Sequence, residues 1–342
     1  MSESHLFFII SLAAITALLL SPIAIWFCRR VGLMDFPNRE AHKLHHRPVP
    51  LAGGIVLFLV FVIVSLVQGI AFQSAFYVYL LPFCIILIFG IWDDIVSLPP
   101  LVKLAGQILA ASVLIHNGVS VQLFASSFAN YLLTIFWMAG ITNAFNLTDS
   151  MDGLAAGLAT LSAACLMLVT IQSGQFQLTV MSSIVLGGCI GVFFFNAHPA
   201  LYFLGDSGAQ FLGFFLAALA VAYAPVGYTP LTSWFIPILL VGVPIFDTTL
   251  VVYSRLRRRL PVYQAGLDHT FHRLIRLGIS PNRAILSMHL CALILDCIAF
   301  ILLQANPVLA NGIIFLLGIL AVASILFLDR PHLLEDNPYP YI

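Results

Sequence analysis

An all-α polytopic membrane protein of about eleven spans is the fold this sequence predicts, and three observations predict it. Hydrophobic residues make up 61% of the 342 positions and charged residues only 8%, against about 25% charged in a soluble domain. Mean hydropathy is +1.05. Apolar runs approaching the roughly 20 residues a span requires recur near 6–28, 51–70, 75–92, 101–116, 130–147, 153–171, 178–196, 207–224, 231–253, 284–304 and 308–328. The third observation is where the few charges fall.

With eleven spans and the N-terminus outside, the inner loops lie near 29–50, 93–100, 148–152, 197–206, 254–283 and 329–342. Thirteen of the fourteen Lys and Arg residues fall in them: Arg29, Arg30, Arg39, Lys43, Arg47, Arg255, Arg257, Arg258, Arg259, Arg273, Arg276, Arg283 and Arg330. Lys103 lies just past one of them. Basic residues collect on the cytoplasmic side, so the pattern predicts an N-out, C-in protein. The first run has no basic stretch ahead of it and Arg29 and Arg30 behind it, which reads as a span and not a cleaved signal. Cys28, Cys84, Cys165, Cys189, Cys291 and Cys297 lie in or beside spans without metal-ligand spacing, which suits packing. Residues 1–342 read as one transmembrane domain with a short tail from 329 onward. Zero net charge argues against a nucleic-acid partner.

Aspartates gather where apolar segments end. They stand in Ile91 to Leu98 (IWDDIVSL), Asn143 to Leu154 (NAFNLTDSMDGL) and Phe203 to Gly208 (FLGDSG). Carboxylates beside hydrocarbon are costly and mark functional sites by default. If those ends converge, they line a pocket suited to a divalent cation and a phosphorylated substrate. Adjacent Asp93 and Asp94 repel each other unless a cation sits between them, which suits a metal ligand or a general base; a solvated helix cap is the plainer reading. Asn143 and Asn146, and Asp149 and Asp152, are each three apart and share a face if helical. Thr148 or Asp149 also suits the cap of the sixth helix. Gly205 to Gly208 open the eighth span, where backbone N–H groups can receive an anion; Asp206 there favours a metal bridging to phosphate.

The first inner loop, Gly32 to Gly54, combines Asp35, Arg39, His42, Lys43, His45, His46 and Arg47 with a Gly53-Gly54 pair. It reads as a topology signal or as a cationic wall for phosphates; the glycines allow close backbone approach. In the longest inner loop, Arg257 to Arg259 read as an orientation signal in contact with lipid headgroups. In the segment from Asp268 to Arg273, His269 and His272 share a face with a cation beside them, which suits phosphate contact. Asp247 stands near the inner end of the ninth span as a supporting group, and Asp296 in the tenth span has no assigned role. Walker, zincin and GxSxG patterns are missing.

Taken in order, DD at 93–94, NxxNxxDxxDGL at 143–154, FNxxPAxxFxGDSG at 195–208 and DHxxHR at 268–273 resemble the polyprenyl-phosphate N-acetylhexosamine-1-phosphate transferase family. The resemblance spans roughly residues 33–275. It is nearer to the branch that initiates surface polysaccharides, the undecaprenyl-phosphate N-acetylglucosamine-1-phosphate transferases, than to the peptidoglycan translocase, whose triple-His motif is missing here. Phe271 replaces the middle histidine of the branch's His-x-His-His pattern, and the first loop reads His42-Lys43-Leu44-His45 where the family has Arg-Lys-x-His.

The resemblance implies transfer of a sugar-1-phosphate from a UDP-N-acetylhexosamine to polyprenyl phosphate in a bacterial inner membrane, with UMP released on the cytoplasmic side. It implies Mg²⁺, with Mn²⁺ as the alternative, held by Asp206 together with Asp93 or Asp94. Asp93, Asp94, Asp149, Asp152, His269 and His272 are the implied catalytic residues. His45, Lys103, Asn143, Asn146, Asn196 and Arg273 are the implied substrate contacts. Direct attack and an aspartyl intermediate both stay open, as does a homodimer. A secondary transporter is the rival reading, but its polar groups belong near mid-membrane; a membrane phosphatase or alcohol phosphotransferase would share the metal and phosphate groups.

Overall fold

The computed structural model describes residues 3–37, 47–69, 74–224, 233–263 and 266–333. Its helices are α1 (Glu3–Val31), α2 (Gly53–Val67), α3 (Ser74–Val96), α4 (Pro100–His116), α5 (Ser127–Thr148), α6 (Leu154–Gln172), α7 (Phe176–Asn196), α8 (Gly205–Ala222), α9 (Phe235–Leu240), α10 (Gly242–Arg257), α11 (Thr270–Arg276), α12 (Pro281–Leu302) and α13 (Pro307–Leu328). The protein is an all-helical polytopic membrane protein. The described residues also hold a two-residue antiparallel ribbon of β1 (Met34–Asp35) and β2 (Val49–Pro50) and an isolated parallel bridge between Leu51 and Phe203.

Seven of these helices, α1, α3, α6, α7, α8, α12 and α13, are long and apolar enough to cross a membrane; α2 and α4 are shorter apolar helices. The expected ninth span is split at Val241 into α9 and α10. The fifth, α5, is long but carries Asn130, Thr134, Asn143 and Asn146 among its apolar residues and is not one of the seven. The split is braced from outside, where the Ser162 hydroxyl of α6 donates to the freed Leu240 carbonyl at 2.5 Å.

Helix α8 is the hub, packing on α2, α3, α5 and α6. Phe61 of α2, Phe83 of α3 and Phe211 and Phe215 of α8 interlock there, with Phe83 and Phe215 ring centroids 4.3 Å apart. Offset and edge-on aromatic pairs add to the burial energy of each ring. Helix α7 meets α1 through Gly187 and Gly191, where an added Cβ would lie 2.3 Å from the Ile10 carbonyl and 2.5 Å from Ala17 Cβ. Small residues four apart let helices approach closely in lipid, where dispersion contacts replace the hydrophobic drive. At the other extreme α13 is almost wholly exposed. This packing draws the ends of α3, α5 and α8 together.

The loops are tied as well. Phe203 donates to the Pro50 carbonyl at 2.9 Å, and its own carbonyl accepts from Ala52. The loop before α2 thus lies against the loop before α8. His45 and the neighbouring basic residues Arg39, His42, Lys43 and His46 lie outside the described residues. The segment read as a tail begins at Asp329, which is buried and ion-paired to Arg257 at 2.6 Å, so its start is anchored.

Candidate active site

Three helix ends build a charged cluster. Asp93, in the last turn of α3, is 2% exposed; Oδ1 accepts the Leu98 N–H at 2.8 Å and Oδ2 pairs with the Lys103 ammonium. Lys103, in the first turn of α4, also reaches Asp206 Oδ1 at 3.5 Å. Lys103 thus bridges Asp93 and Asp206. Asp94 has a different task. It accepts the backbone N–H groups of Asp206 at 2.7 Å and Ser207 at 3.2 Å, so it caps the start of α8 from another helix.

That turn explains its glycine. Gly205 has φ +71, and a Cβ there would lie 2.8 Å from both Asp94 oxygens, so conformation and space each require glycine. Gly54 similarly admits the backbone of Ser207 and Gly208.

Asp149 caps the C-terminus of α5, while Gly153 starts α6; neither Thr148 nor Asp149 caps the sixth helix. Thr148 bonds back to the Ala144 carbonyl. Burial, with the charges of Asp206 and Asp152 nearby, pushes the Asp149 carboxyl up to about 8. Asp152 accepts from Ala200 N–H at 3.1 Å and lies 3.0 Å from His198 Nδ1. Asp93, Asp94, Lys103, Asp149, Asp152 and Asp206 therefore form one neighbourhood.

Other candidates are engaged with the protein itself. Asn196 is buried, accepting from Gly153 N–H and donating to the Tyr202 carbonyl, each at 3.2 Å. Asn143 donates to Gln107 Oε1 at 2.7 Å and accepts from its Nε2, which also donates to Gln210. Asn146 is half-buried one turn nearer the site.

The histidine loop forms a second cluster. Asp247 of α10 accepts Thr270 N–H at 2.6 Å and holds His269 Nδ1 at 2.8 Å. Burial opposes the imidazolium, but Asp247 outweighs it and holds His269 above its usual value. His272 behaves oppositely: burial and the charge of His269 lower it to about 4, so at neutral pH it is a neutral imidazole. Arg273 is fully buried, donating to the carbonyls of Asp268 and Leu328 at 2.8 and 2.9 Å and lying 3.3 Å from Asp329. Asp268 binds Arg255 through both oxygens and Arg258 at 2.9 Å. Arg257 and Arg258, expected at lipid headgroups, each meet an aspartate as well, Asp329 and Asp268.

Residues 76–224 match the family described as Glycosyl transferase family 4. A Bacillus subtilis (strain 168) protein named probable undecaprenyl-phosphate N-acetylglucosaminyl 1-phosphate transferase is 33% identical over 91% of this chain and 88% of its own. The chain belongs to glycosyl transferase family 4. The decaprenyl-phosphate N-acetylglucosaminephosphotransferase of Mycobacterium tuberculosis (strain CDC 1551 / Oshkosh) is 28% identical over 76% of this chain and 73% of its own. The phospho-N-acetylmuramoyl-pentapeptide-transferase of Anoxybacillus flavithermus (strain DSM 21510 / WK1) is 32% identical over 65% of this chain and 76% of its own.

In this family 4 transferase, no group of three or more His, Cys, Asp and Glu is arranged to chelate a metal among the described residues. Magnesium does not need one, because it binds through one or two carboxylates plus phosphates and water. Asp206 is 32% exposed with Lys103 on one oxygen, and Asp149 lies beside it. These donors fit an ion shared with a diphosphate.

Sequence reading missed the amides. Gln107 and Gln210 each lie four residues past a site residue, Lys103 and Asp206, and so one turn deeper on the same face. That spacing was the available signal.

Proposed function

We propose that the chain transfers the sugar-1-phosphate of a UDP-N-acetylhexosamine, UDP-N-acetylglucosamine foremost, to polyprenyl phosphate and releases UMP. Two of its relatives are named for transfer of N-acetylglucosamine phosphate to a polyprenyl phosphate. The observation that carries the reading is the Asp93–Lys103–Asp206 ion pairing at the ends of three helices, beside Asp149 and over a turn capped by Asp94.

In this mechanism an oxygen of the lipid phosphate attacks the sugar-bearing phosphorus of the nucleotide. The bond from that phosphorus to the bridging oxygen breaks, and UMP leaves with the electron pair. One diphosphate linkage replaces another, so catalysis reduces to positioning and charge neutralisation. A phosphate monoester loses its second proton near pH 6, so little base strength is asked of Asp93, which orients the attacking phosphate with Lys103. Asp94 fixes the turn that presents Asp206. Asp206 and Asp149 would hold Mg²⁺, which when bound supplies charge neutralisation of the diphosphate. Asp152 and Asn146 face the nucleotide end, and His269 brings a positive charge with His272 as a neutral donor. The reading places the site on the cytoplasmic side of a bacterial plasma membrane, in an N-out, C-in chain.

The test is release of UMP from radiolabelled UDP-N-acetylglucosamine by the purified protein, with and without polyprenyl phosphate. Release that requires the lipid acceptor supports transfer. Uptake without UMP would favour a transporter, and acceptor-independent phosphate release a phosphatase; either overturns the proposal.

A further inference from the structure

Away from the aspartates, α11 and the last turns of α13 border an open groove of about 730 Å³, within the range of sites that hold small ligands. Its walls are mostly apolar, with Leu274 and Leu277 on one side and Leu320, Ala323 and Phe327 on the other, beside the single hydroxyl of Ser324. Arg330 stands at its mouth, its guanidinium 4.5 Å from the Phe327 ring centroid. The neighbouring carboxylate is turned elsewhere, since Asp329 is buried against Arg257 and Arg273. Among the described residues, no carboxylate forms an ion pair with Arg330.

The setting selects the occupant. Helix α13 is the most exposed of the long apolar helices, so the groove opens on hydrocarbon. Arg330 follows directly on the end of that span, where long basic side chains reach the headgroup layer. An apolar slot ending in one exposed guanidinium matches an acyl chain beneath a phosphate. Basic pockets between transmembrane helices bind anionic headgroups in this way.

We infer that this groove binds an anionic phospholipid, with one acyl chain between α11 and α13 and the headgroup phosphate on Arg330. The site is separate from the reaction centre but mechanically joined to it. Leu328, which lines the groove, gives its carbonyl to Arg273 of α11, and α11 carries His272 and follows directly on His269, its N-cap. Bound lipid therefore braces the histidine loop from its outer side.

The test is native mass spectrometry of the full chain after equilibration with equal amounts of phosphatidylglycerol and phosphatidylcholine. Wild type should retain one phosphatidylglycerol in preference to phosphatidylcholine by roughly fivefold, the weight of one basic side chain at an anionic surface. Arg330→Gln should bring the two lipids to parity. Ala323→Trp, which fills the slot from a lipid-facing position, should remove the tightly held lipid. Arg29→Ala, on α1, should behave as wild type. Equal retention of phosphatidylglycerol by wild type and Arg330→Gln overturns the assignment. So does its displacement by stoichiometric polyprenyl phosphate, which would make the groove a substrate channel.

Discussion

Asp94 Oδ1 accepts the backbone N–H of Asp206 at 2.7 Å, making one aspartate of the site the cap beneath another. Asp94→Ala leaves two N–H groups at the start of α8 unpaired, at a cost of about 1–3 kcal/mol. Its melting temperature in detergent should fall, and Gly205→Ala should reproduce the fall because it pushes a methyl into the same carboxylate. Asp94→Asn keeps an acceptor and should melt closer to wild type.

Lys103→Met strips the partner from a buried Asp93. Breaking a buried pair on one side costs about 3–5 kcal/mol. Adding Asp93→Asn should recover much of that loss, and a double-mutant cycle on thermal unfolding reads the coupling. Additive losses would contradict the pairing.

Asp206→Asn should insert and fold like wild type yet lose Mg²⁺-dependent UMP release. Turnover measured across a Mg²⁺ titration decides it, and a normal response would refute the metal assignment.

Much of this was legible from sequence, and the boundary of legibility has a physical cause. Spans and charge asymmetry are properties of single segments, so apolar runs and the positions of Arg29 or Arg255 exposed them. The junction aspartates were visible because carboxylates at a membrane edge are expensive. Their partners were not, because partnering depends on which helix ends meet. Asp94 reads the same whether it faces substrate or the backbone of α8, and Asn196 the same whether it holds a nucleotide or the Gly153 N–H. Arg273 reads in sequence as a phosphate ligand, and nothing in the sequence shows that it also works as a buried fastener.

That fastener gives a clean contrast. Arg273→Ala removes donors from the Asp268 and Leu328 carbonyls inside the protein, so it should lower the melting temperature markedly. Arg273→Lys should rescue poorly, because a point ammonium cannot reproduce the guanidinium fork. His269→Gln, which keeps a donor beside buried Asp247, should reduce turnover with a smaller change in melting temperature. Thermal melts and UMP release, measured side by side, separate the two roles.

The His269–Asp247 pair sets a pH dependence. His269 titrates above its usual value near 6.5 when folded, so its contribution to stability is complete below about that pH and is lost as pH rises through the folded value. Melting temperature of wild type should decline from pH 6.5 upward relative to His269→Gln, which lacks the titrating group. Parallel profiles would remove the imidazolium from the account. Asp268, held below the carboxylate range against burial by Arg255 and Arg258, works in the opposite direction and is lost only in acid.

The cap joining Asp94 to Asp206 spans 112 positions of chain. A polypeptide still emerging from the ribosome, with only its amino-terminal half inserted, has the acceptor but not the turn it organises. The aspartate cluster therefore cannot assemble until synthesis has passed the eighth helix.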